Sequence, residues 1–321
     1  MGEKMETKKV EYILEAIDLC KYFKAGRKQY VKAVDHVNIR MRHGETLGLV
    51  GESGCGKTTT GQTMIRLYEP TSGKILFEGQ DISRLRGKEL LHFKKNVQII
   101  FQDPYASLDP RMTIGEIISE GMDVHMKLSD REKESRVNEL LRKVGLNTEY
   151  ANRFAHGLSG GQGQRSGIAR ALAVKPKFIV CDEPISALDV SIQAQVVNLL
   201  MRLQKEMGLT YLFISHDLAL VQSICDRVLV MHRGRIVEEG NTQDVIEYAA
   251  HPYTKLLLSS VFPIHPDTQW QIPSVPQVTE EEGDACRFWQ RCPHCKEQCK
   301  KERPQLKKIS EHHSVACHFV E

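Results

Sequence analysis

The segment 51–58, with the sequence GESGCGKT, constrains the fold of this chain more than any other feature. It follows the apolar stretch Thr46–Val50 and precedes a helix-like stretch, TTTGQTMIRL, so it meets the pattern G-x-x-x-x-G-K-[ST] in a strand–loop–helix context. Its glycines let backbone N–H groups turn inward to form an anion-binding nest at a helix N-terminus, where the helix dipole also favours phosphate. The sequence therefore predicts an α/β fold that carries a phosphate-binding loop.

The side chains of this loop predict a nucleotide and a magnesium ion. We expect Lys57 to hold the β- and γ-phosphates and Thr58 to bind Mg²⁺. The alternative is a glycine turn with a solvated lysine. The candidate nucleotide ligands are Gly51, Glu52, Ser53, Gly54, Cys55, Gly56, Lys57, Thr58 and Thr59.

A second apolar stretch, Phe178–Cys181, ends in two carboxylates, Asp182 and Glu183. We expect Asp182 to reach the magnesium shell and Glu183 to act on the attacking water as general base. The alternative is that these carboxylates cap the helix that starts near Leu188.

Composition limits the class of protein. The length of 321 residues leaves room for about two domains. The chain carries 44 basic and 41 acidic side chains, and this net charge of +3 does not indicate a nucleic-acid binder. No apolar run approaches the roughly 20 residues of a spanning helix. The N-terminus, MGEKMETKKVEY, has charges where a signal peptide needs apolar residues, so we expect a reducing cytosol and no disulfide framework for the nine cysteines.

Short apolar segments alternate with helical patterns, as expected of α/β wiring. Between Pro104 and Ser166 the pattern changes to helices, expected over 114–126 and 130–144, with Ser129 or Asp130 as N-cap. A further helix is expected to end near His251-Pro252, and the stretch 263–282 holds four prolines. We predict a nucleotide-binding domain over 1–250 with a helical subdomain over about 105–165, a linker over 251–282, and a cysteine-rich tail over 283–321.

A five-residue string, LSGGQ at 158–162, identifies a family when it is taken together with the phosphate loop. From about Tyr12 to Tyr253 the chain resembles the ATP-binding subunits of ABC transporters. Gln102 in QIIFQDP matches the family's Q-loop, 186–189 (SALD) its D-loop, and His216 in FISHD its switch histidine. The resemblance implies a P-loop ABC ATPase core of the RecA type with a mixed sheet, an antiparallel β subdomain and a helical insertion.

The same resemblance implies roles for these residues. Mg²⁺ would be held by Thr58, Gln102 and Asp182, and His216 would contact the γ-phosphate and orient the water with Glu183. Phe23 would stack on adenine, although Tyr22 and Tyr30 are alternatives. Two subunits would face head to tail, so that the signature and D-loop close on ATP held by the partner; the residues concerned are Ser159, Gly160, Gly161, Gln162 and Asp189.

One departure from the family pattern lies just after the signature. Members usually carry a basic residue there and an apolar one three further on, whereas this chain has Gly163 and Ser166. Glycine early in a helix costs about 0.5 to 1 kcal/mol relative to alanine, so we expect weakened packing or contact without loss of the anion site.

Longer strings resemble one subfamily, the peptide and nickel importers. They are FQDPYASLDPRMTIGEII, HPYTKLLLSSV and the cysteine-bearing tail. The resemblance implies an ATPase on the cytoplasmic face of the cell membrane, with two permease subunits, an external binding protein and a second, related ATPase. The permease contact is expected at Pro104–Arg111.

The tail holds five of the nine cysteines. Cys286, Cys292, Cys299 and Cys317 match the subfamily pattern that binds a [4Fe-4S] cluster, with gaps of five, six and seventeen residues. Zinc is the alternative, because Cys295 forms a C-x-x-C pair with Cys292 and because histidines widen the ligand choice; free thiols are a third. The histidines are His294, His312, His313 and His318.

The main expectation is an ATP-hydrolysing subunit of an importer for oligopeptides or dipeptides. Nickel or another small solute is the alternative cargo. A soluble non-transport ABC ATPase would usually have two cassettes or a long coiled-coil insertion, which this chain lacks. An iron–sulfur electron carrier would need a redox-partner site, and a zinc-ribbon nucleic-acid module would need more basic charge.

Overall fold

A computed structural model describes residues 11–26, 29–261 and 284–320. The strands are β1 Tyr12–Lys24, β2 Tyr30–Arg42, β3 Thr46–Val50, β4 Ser72–Phe77, β5 Gln80–Asp81, β6 Val97–Ile100, β7 Phe178–Asp182, β8 Thr210–Ser215, β9 Arg227–His232, β10 Arg235–Asn241, β11 Lys307–Ser310 and β12 His313–Val315. The helices are α1 Lys57–Met64, α2 Gly87–Asn96, α3 Pro104–Ser107, α4 Ile114–His125, α5 Asp130–Lys143, α6 Gly160–Leu172, α7 Val190–Met207, α8 Leu218–Ile224, α9 Thr242–Glu247, α10 Pro252–Val261 and α11 Glu297–Lys301.

Two sheets form the framework. The larger has the order β11-β12-β10-β9-β3-β8-β7-β6, in which β6, β7, β8, β3 and β9 are parallel and the strands beyond β9 are antiparallel. The smaller is antiparallel, with the order β2-β1-β4-β5. The prediction of a mixed sheet with an antiparallel β subdomain is confirmed.

Two apolar cores hold these layers together. One joins the antiparallel sheet to one face of the large sheet and includes Leu14, Ile39 and Ile214. The other joins the opposite face to the helices and includes Leu141 and Ile168. Because β3, β7 and β8 are buried on both faces, their sequences are continuous apolar runs and not alternating ones.

The helical insertion forms where the sequence predicts it. Helix α4 begins at a capping box between Thr113 and Glu116, and α5 begins at a second one between Ser129 and Glu132. Both helices present an apolar face to α6 and to the second core.

The predicted linker begins with ordered structure. Residues 252–261 form α10, which starts at a proline in the favoured first position, and Tyr253 in its first turn is completely buried. The helix expected to end near His251-Pro252 ends earlier, at Glu247. The rest of the predicted linker, 262–282, lies outside the described residues, as do residues 1–10.

The described tail, 284–320, is bonded into the core. Strand β12 pairs with β10, so β11 and β12 extend the large sheet. Glu238 on β10 is completely buried, and its carboxylate accepts from the backbone of Ala250 and His251 and contacts His313 of β12 at 2.7 Å. This carboxylate therefore joins the tail to the segment that leads into α10.

A second buried carboxylate, Asp35 on β2, also joins the tail to the core. It accepts from Arg235 at 2.7 Å, from Arg287 of the tail at 2.6 Å and from the Tyr22 hydroxyl at 2.5 Å. Burial alone would raise the pKa of Asp35, but the hydrogen bonds from Tyr22 and Arg235 and the charges of both arginines outweigh it and lower this pKa to about 2.

Across the described ranges, no helix combines the length and apolar character that a membrane crossing requires.

We expect Asp35→Asn to lower the free energy of unfolding by about 3 kcal/mol, because it leaves two poorly exposed guanidinium groups without their shared counter-charge. Urea unfolding at neutral pH measures this. Since the pKa of Asp35 is lower in the folded chain than in the unfolded one, its stabilisation is present above about pH 4 and is lost as the pH falls towards 2.

Asp109→Asn is the matched control for this substitution. It removes one partner of an exposed ion pair with Arg111 and should leave the free energy of unfolding nearly unchanged. Equal effects of the two substitutions would show that the Asp35 cluster does not hold the tail to the core.

Candidate active site

The phosphate loop lies between β3 and α1, at the carboxyl edge of the parallel strands. Gly56 is the N-cap of α1 with a φ of +109°, and a Cβ there would lie 2.1 Å from the carbonyl oxygen of Ala33, so only glycine fits. The loop therefore turns tightly into the helix, and the first N–H groups of α1 are left for an anion.

Lys57 lies inside the curve of this loop. Its side chain is only 4% exposed, and its ammonium group donates to the carbonyls of Gly51 at 2.8 Å and Glu52 at 3.0 Å. The loop backbone thus holds a positive charge at the place where a phosphate would sit.

Strand β7 brings the predicted carboxylates to the same edge. Asp182 accepts a hydrogen bond from the Thr58 hydroxyl at 2.8 Å. Burial raises the pKa of Asp182, and the neighbouring Glu183 adds to this, whereas the Thr58 hydrogen bond and Lys57 lower it. A divalent cation between Thr58 and Asp182 would be bound by oxygen ligands of the kind that Mg²⁺ prefers.

Glu183 is the point at which the predicted catalytic residues meet. Its φ is +44°, so the chain turns sharply directly after β7. Its carboxylate lies 3.3 Å from the Gln102 amide nitrogen, 3.3 Å from His216 Nδ1 and 3.9 Å from Lys57 Nζ. A strained backbone at a cluster of polar groups is typical of a catalytic site.

The signature forms the N-terminus of α6. The Ser159 hydroxyl accepts from the Gln162 N–H at 3.4 Å, and the Gln162 side chain accepts from the Ser159 N–H at 2.9 Å, so the two form a capping box. A Cβ on Gly161 would meet Ile192, so this end of α6 packs against α7, whose N-cap is Asp189. The side chain of Ser159 is exposed.

The two unusual residues after the signature have structural explanations. Gly163 faces Pro104, and a Cβ there would lie 3.3 Å from the proline ring, so glycine permits a close approach of α6 to α3. The Ser166 hydroxyl donates to the carbonyl of Gln162 at 2.9 Å and is completely buried. Helix α6 therefore approaches α3 closely at Gly163, and the buried Ser166 hydroxyl is hydrogen-bonded within its own helix.

The three candidate adenine-stacking residues have different surroundings. The Tyr22 hydroxyl is bonded to Asp35, and Tyr30 is 50% exposed. Phe23 packs edge-on against Tyr68 at 5.4 Å. The hydroxyl of Tyr22 is therefore already hydrogen-bonded, whereas Phe23 has no hydroxyl group and the side chain of Tyr30 is half exposed.

The four cysteines predicted to bind metal line one cavity of about 340 Å³. They are Cys286, Cys292, Cys299 and Cys317. Cys295 is not among the described residues that line this cavity. Burial raises the pKa of Cys286 to about 11, and the three other thiols add to the rise. Within the described ranges, no three of these sulfurs lie within 4.8 Å of one another.

One further group was not predicted from the sequence. Ligand atoms of Cys20, Asp35 and His36 lie within 4.8 Å of one another. This group does not suit a cation, because Asp35 already bonds two arginines and a tyrosine.

Sequence reasoning also missed two contacts that the phosphate loop makes with distant residues. The Glu52 N–H donates to the Tyr253 hydroxyl at 2.8 Å, and the Glu52 carboxylate accepts from Arg291. No pattern in the sequence relates positions 201 and 239 residues apart, so only the fold reveals them.

Comparison with known families matches two models. The ABC transporter model matches residues 34–186, and the model of the oligopeptide/dipeptide transporter C-terminal region matches 237–299.

Two relatives from Bacillus subtilis are similar over most of the chain. The oligopeptide transport ATP-binding protein OppF is 56% identical over 287 residues, covering 87% of this chain and 93% of the relative. The oligopeptide transport ATP-binding protein AppF is 48% identical over 329 residues, covering 96% of this chain and 98% of the relative.

Two solved structures share the fold. CbiO1 from Clostridium perfringens, part of the ABC transporter complex cbiONQ, has a TM-score of 0.66 and 30% identity, covering 79% of this chain and 96% of that one. The ATP-binding cassette MJ0796, a dimer in a post-hydrolysis state with ADP and Pi, has a TM-score of 0.65 and 28% identity, covering 71% of this chain and 98% of that one.

Proposed function

This chain belongs to the family of ABC transporter ATP-binding subunits, in its oligopeptide/dipeptide branch, and we propose that it hydrolyses ATP to drive the import of oligopeptides or dipeptides through a membrane permease. One observation carries the proposal. The carboxylate of Glu183 lies within 3.9 Å of polar side-chain atoms of three other predicted site residues, Lys57 of the phosphate loop, Gln102 and His216.

ATP and Mg²⁺ fit the loop and the strand ends around it. The N–H groups of residues 51–59 and the ammonium of Lys57 would bind the β- and γ-phosphates. Thr58 and Asp182, already in hydrogen-bond contact, would hold Mg²⁺ together with Gln102. Phe23 would stack on the adenine ring.

Hydrolysis needs a base for the attacking water and compensation for charge on the γ-phosphate. Glu183 would accept the water proton, since its carboxylate lies 3.9 Å from the ammonium of Lys57 and contacts Gln102 and His216. His216, which is mostly exposed and lies beside Glu183, would contact the γ-phosphate as the site closes and orient the water with Glu183.

Closure would come from a second ATPase subunit. The exposed N-terminus of α6 offers Ser159 and the amides of Gly160, Gly161 and Gln162 as an anion site, with Asp189 beside it. In a head-to-tail dimer these groups would meet the ATP of the partner, and the likeness to a dimeric cassette that holds ADP and Pi supports that arrangement.

The remaining partners follow from the branch of the family. Two permease subunits, an external binding protein and a related ATPase would complete the importer, and the chain would sit on the cytoplasmic face of the membrane. The segment Pro104–Arg111 would contact the permease. It is joined to the signature by the bond from the Tyr105 hydroxyl to Leu158 and by the close approach of Pro104 to Gly163.

We propose a [4Fe-4S] cluster for the tail cavity, because four cysteines line it, one for each iron of such a cluster. Zinc is the alternative, but Cys295, which would form its C-x-x-C pair with Cys292, is not among the described residues that line the cavity. Such a cluster would supply four metal–thiolate bonds to a small tail, 283–321, that has few apolar residues of its own.

The domain division is part of this proposal. Residues 1–250 would form the nucleotide-binding domain with its helical subdomain over about 105–165, and 283–321 the metal-binding tail. Because α10 packs into the core, we place the start of the linker after Val261.

Glu183→Gln should lower ATP hydrolysis by at least about 100-fold, because the amide cannot accept the water proton. Affinity for ATP should stay near that of the unmodified chain, since the carboxylate acts on water. Phosphate release and nucleotide titration measure the two effects, with the partner ATPase carrying the equivalent change.

Glu78→Gln is the control for Glu183→Gln, because Glu78 also pairs with a lysine but lies outside the site. Substantial turnover in Glu183→Gln would remove Glu183 from the role of general base.

Ser159→Arg should abolish ATP-dependent association with the partner ATPase, because a bulky cation replaces a small donor at the expected interface. The Kd of this chain's own loop for ATP should change by no more than about twofold, which corresponds to less than about 0.5 kcal/mol. Size-exclusion chromatography and nucleotide titration separate these outcomes.

Ser129→Arg is the matched control for the loss of a helix cap. It removes the same kind of capping box from α5, at a cost of about 1 kcal/mol, without touching the signature. If Ser159→Arg removed this chain's own ATP binding and left association intact, the head-to-tail arrangement would be wrong.

Protein purified without oxygen should be brown and contain iron and acid-labile sulfide in about equal amounts. Cys292→Ser should lose the colour, whereas Cys295→Ser should keep it, because Cys295 lies outside the cavity lining. A colourless preparation with stoichiometric zinc that is lost on Cys295→Ser would overturn the cluster and add Cys295 to the ligands.

A further inference from the structure

The tail contacts the phosphate loop directly. The guanidinium of Arg291 donates to both carboxylate oxygens of Glu52, at 2.9 Å and 3.0 Å. Glu52 is the second residue of the loop, and a bidentate pair of this kind fixes direction as well as distance. A residue of the tail is therefore bonded directly to this part of the loop.

Glu52 is held on its backbone as well. Its N–H donates to the hydroxyl of Tyr253, and its carbonyl accepts from Lys57. The completely buried ring of Tyr253 packs 5.5 Å from that of Phe288, another tail residue, and 4.3 Å from His232. The tail thus contacts the loop at Arg291 and also supports, through Phe288, the tyrosine that holds the loop from behind.

Phe288 and Arg291 belong to one short turn, bracketed by two cysteines of the cavity. The N–H of Arg291 donates to the carbonyl of Phe288, and the N–H of Cys286 donates to the carbonyl of Cys299. Cys286 and Cys292 line the cavity on either side of this turn. Whatever orders the two cysteines therefore also orders the turn that carries Phe288 and Arg291.

The contact with Glu52 is not needed to attach the tail. The pairing of β12 with β10, the bond between His313 and Glu238, and the bonds of Arg287 to Asp35 already do so. The Arg291–Glu52 pair lies partly exposed, with side-chain exposures of 28% and 38%, so its loss should leave the fold intact. Its distinct effect is on the conformation of the loop.

We propose that Arg291 and Phe288 are positioning residues of the ATP site, through which the tail holds the phosphate loop in its nucleotide-binding conformation. The inference rests on the ATP-binding role proposed above and adds a dependence of ATP affinity on the tail. Arg291 acts through Glu52, and Phe288 acts through Tyr253. Neither touches the nucleotide.

The test is a titration of the full chain with a fluorescent ATP analogue and Mg²⁺, followed by steady-state hydrolysis. Arg291→Ala should raise the Kd for the analogue and the KM for ATP by about three- to tenfold, the range of a partly exposed bidentate pair, with little change in kcat. Arg291→Lys should recover part of the affinity, because lysine keeps the charge but cannot form the two parallel hydrogen bonds of a guanidinium group.

Lys300→Ala is the matched control, since it removes an ion pair with Glu297 from the same tail away from the loop. Its Kd and the melting temperatures of both variants without nucleotide should match those of the unmodified chain. In the double variant Glu52→Gln/Arg291→Ala, the Kd should equal that of Arg291→Ala, because both changes remove one interaction.

Several results would overturn the inference. The inference is wrong if the Kd is unchanged in Arg291→Ala or if it rises equally in Lys300→Ala. A Kd of the double variant that rises clearly above that of Arg291→Ala would also show that the tail does not position the loop through Glu52. If the unmodified chain failed to bind the analogue at all, the ATP-binding role itself would fall, and the inference with it.

Discussion

The buried ammonium group of Lys57 sets the conditions for the structure around it. A charge this far from water requires compensation, and here two loop carbonyls and the carboxylate of Glu183 provide it. The carbonyls can reach the ammonium only if the loop curls over it, and the loop can curl only where a strand passes tightly into a helix. Three parallel strands, β3, β7 and β8, must then end at the same edge so that Glu183 and His216 reach the same point.

The tail is part of this arrangement and not an appendage. It extends the large sheet through β12, shares the buried carboxylates of Asp35 and Glu238 with the core, and contacts the phosphate loop through Arg291. Phe288 belongs to the same apolar core as the helices of the insertion. The cysteine-lined cavity is therefore joined to the phosphate loop through the turn that carries Phe288 and Arg291.

Local sequence patterns predicted the elements well where the chain itself supplies the reason. The strands 46–50 and 210–215 and the helices of the insertion follow from apolar runs and from capping residues such as Ser129. Residues 252–261 of the expected linker form a helix, because burial of Tyr253 against Phe288, a tail residue distant in sequence, stabilises it. The close neighbour of Gly163, Pro104, lies 59 positions earlier, so local patterns do not reveal this contact either.

The sequence by itself determined the nucleotide chemistry: a glycine-rich loop with a lysine, an acidic strand end and an LSGGQ string each need only neighbouring residues to be recognised. The tertiary structure decided which of them meet. Only the parallel pairing of β7 and β8 brings Glu183 within 3.3 Å of His216, and only the docking of the tail places Arg291 on Glu52. Local patterns depend on bonds within a few residues, whereas these contacts depend on which faces are buried together, and that is a property of the whole chain.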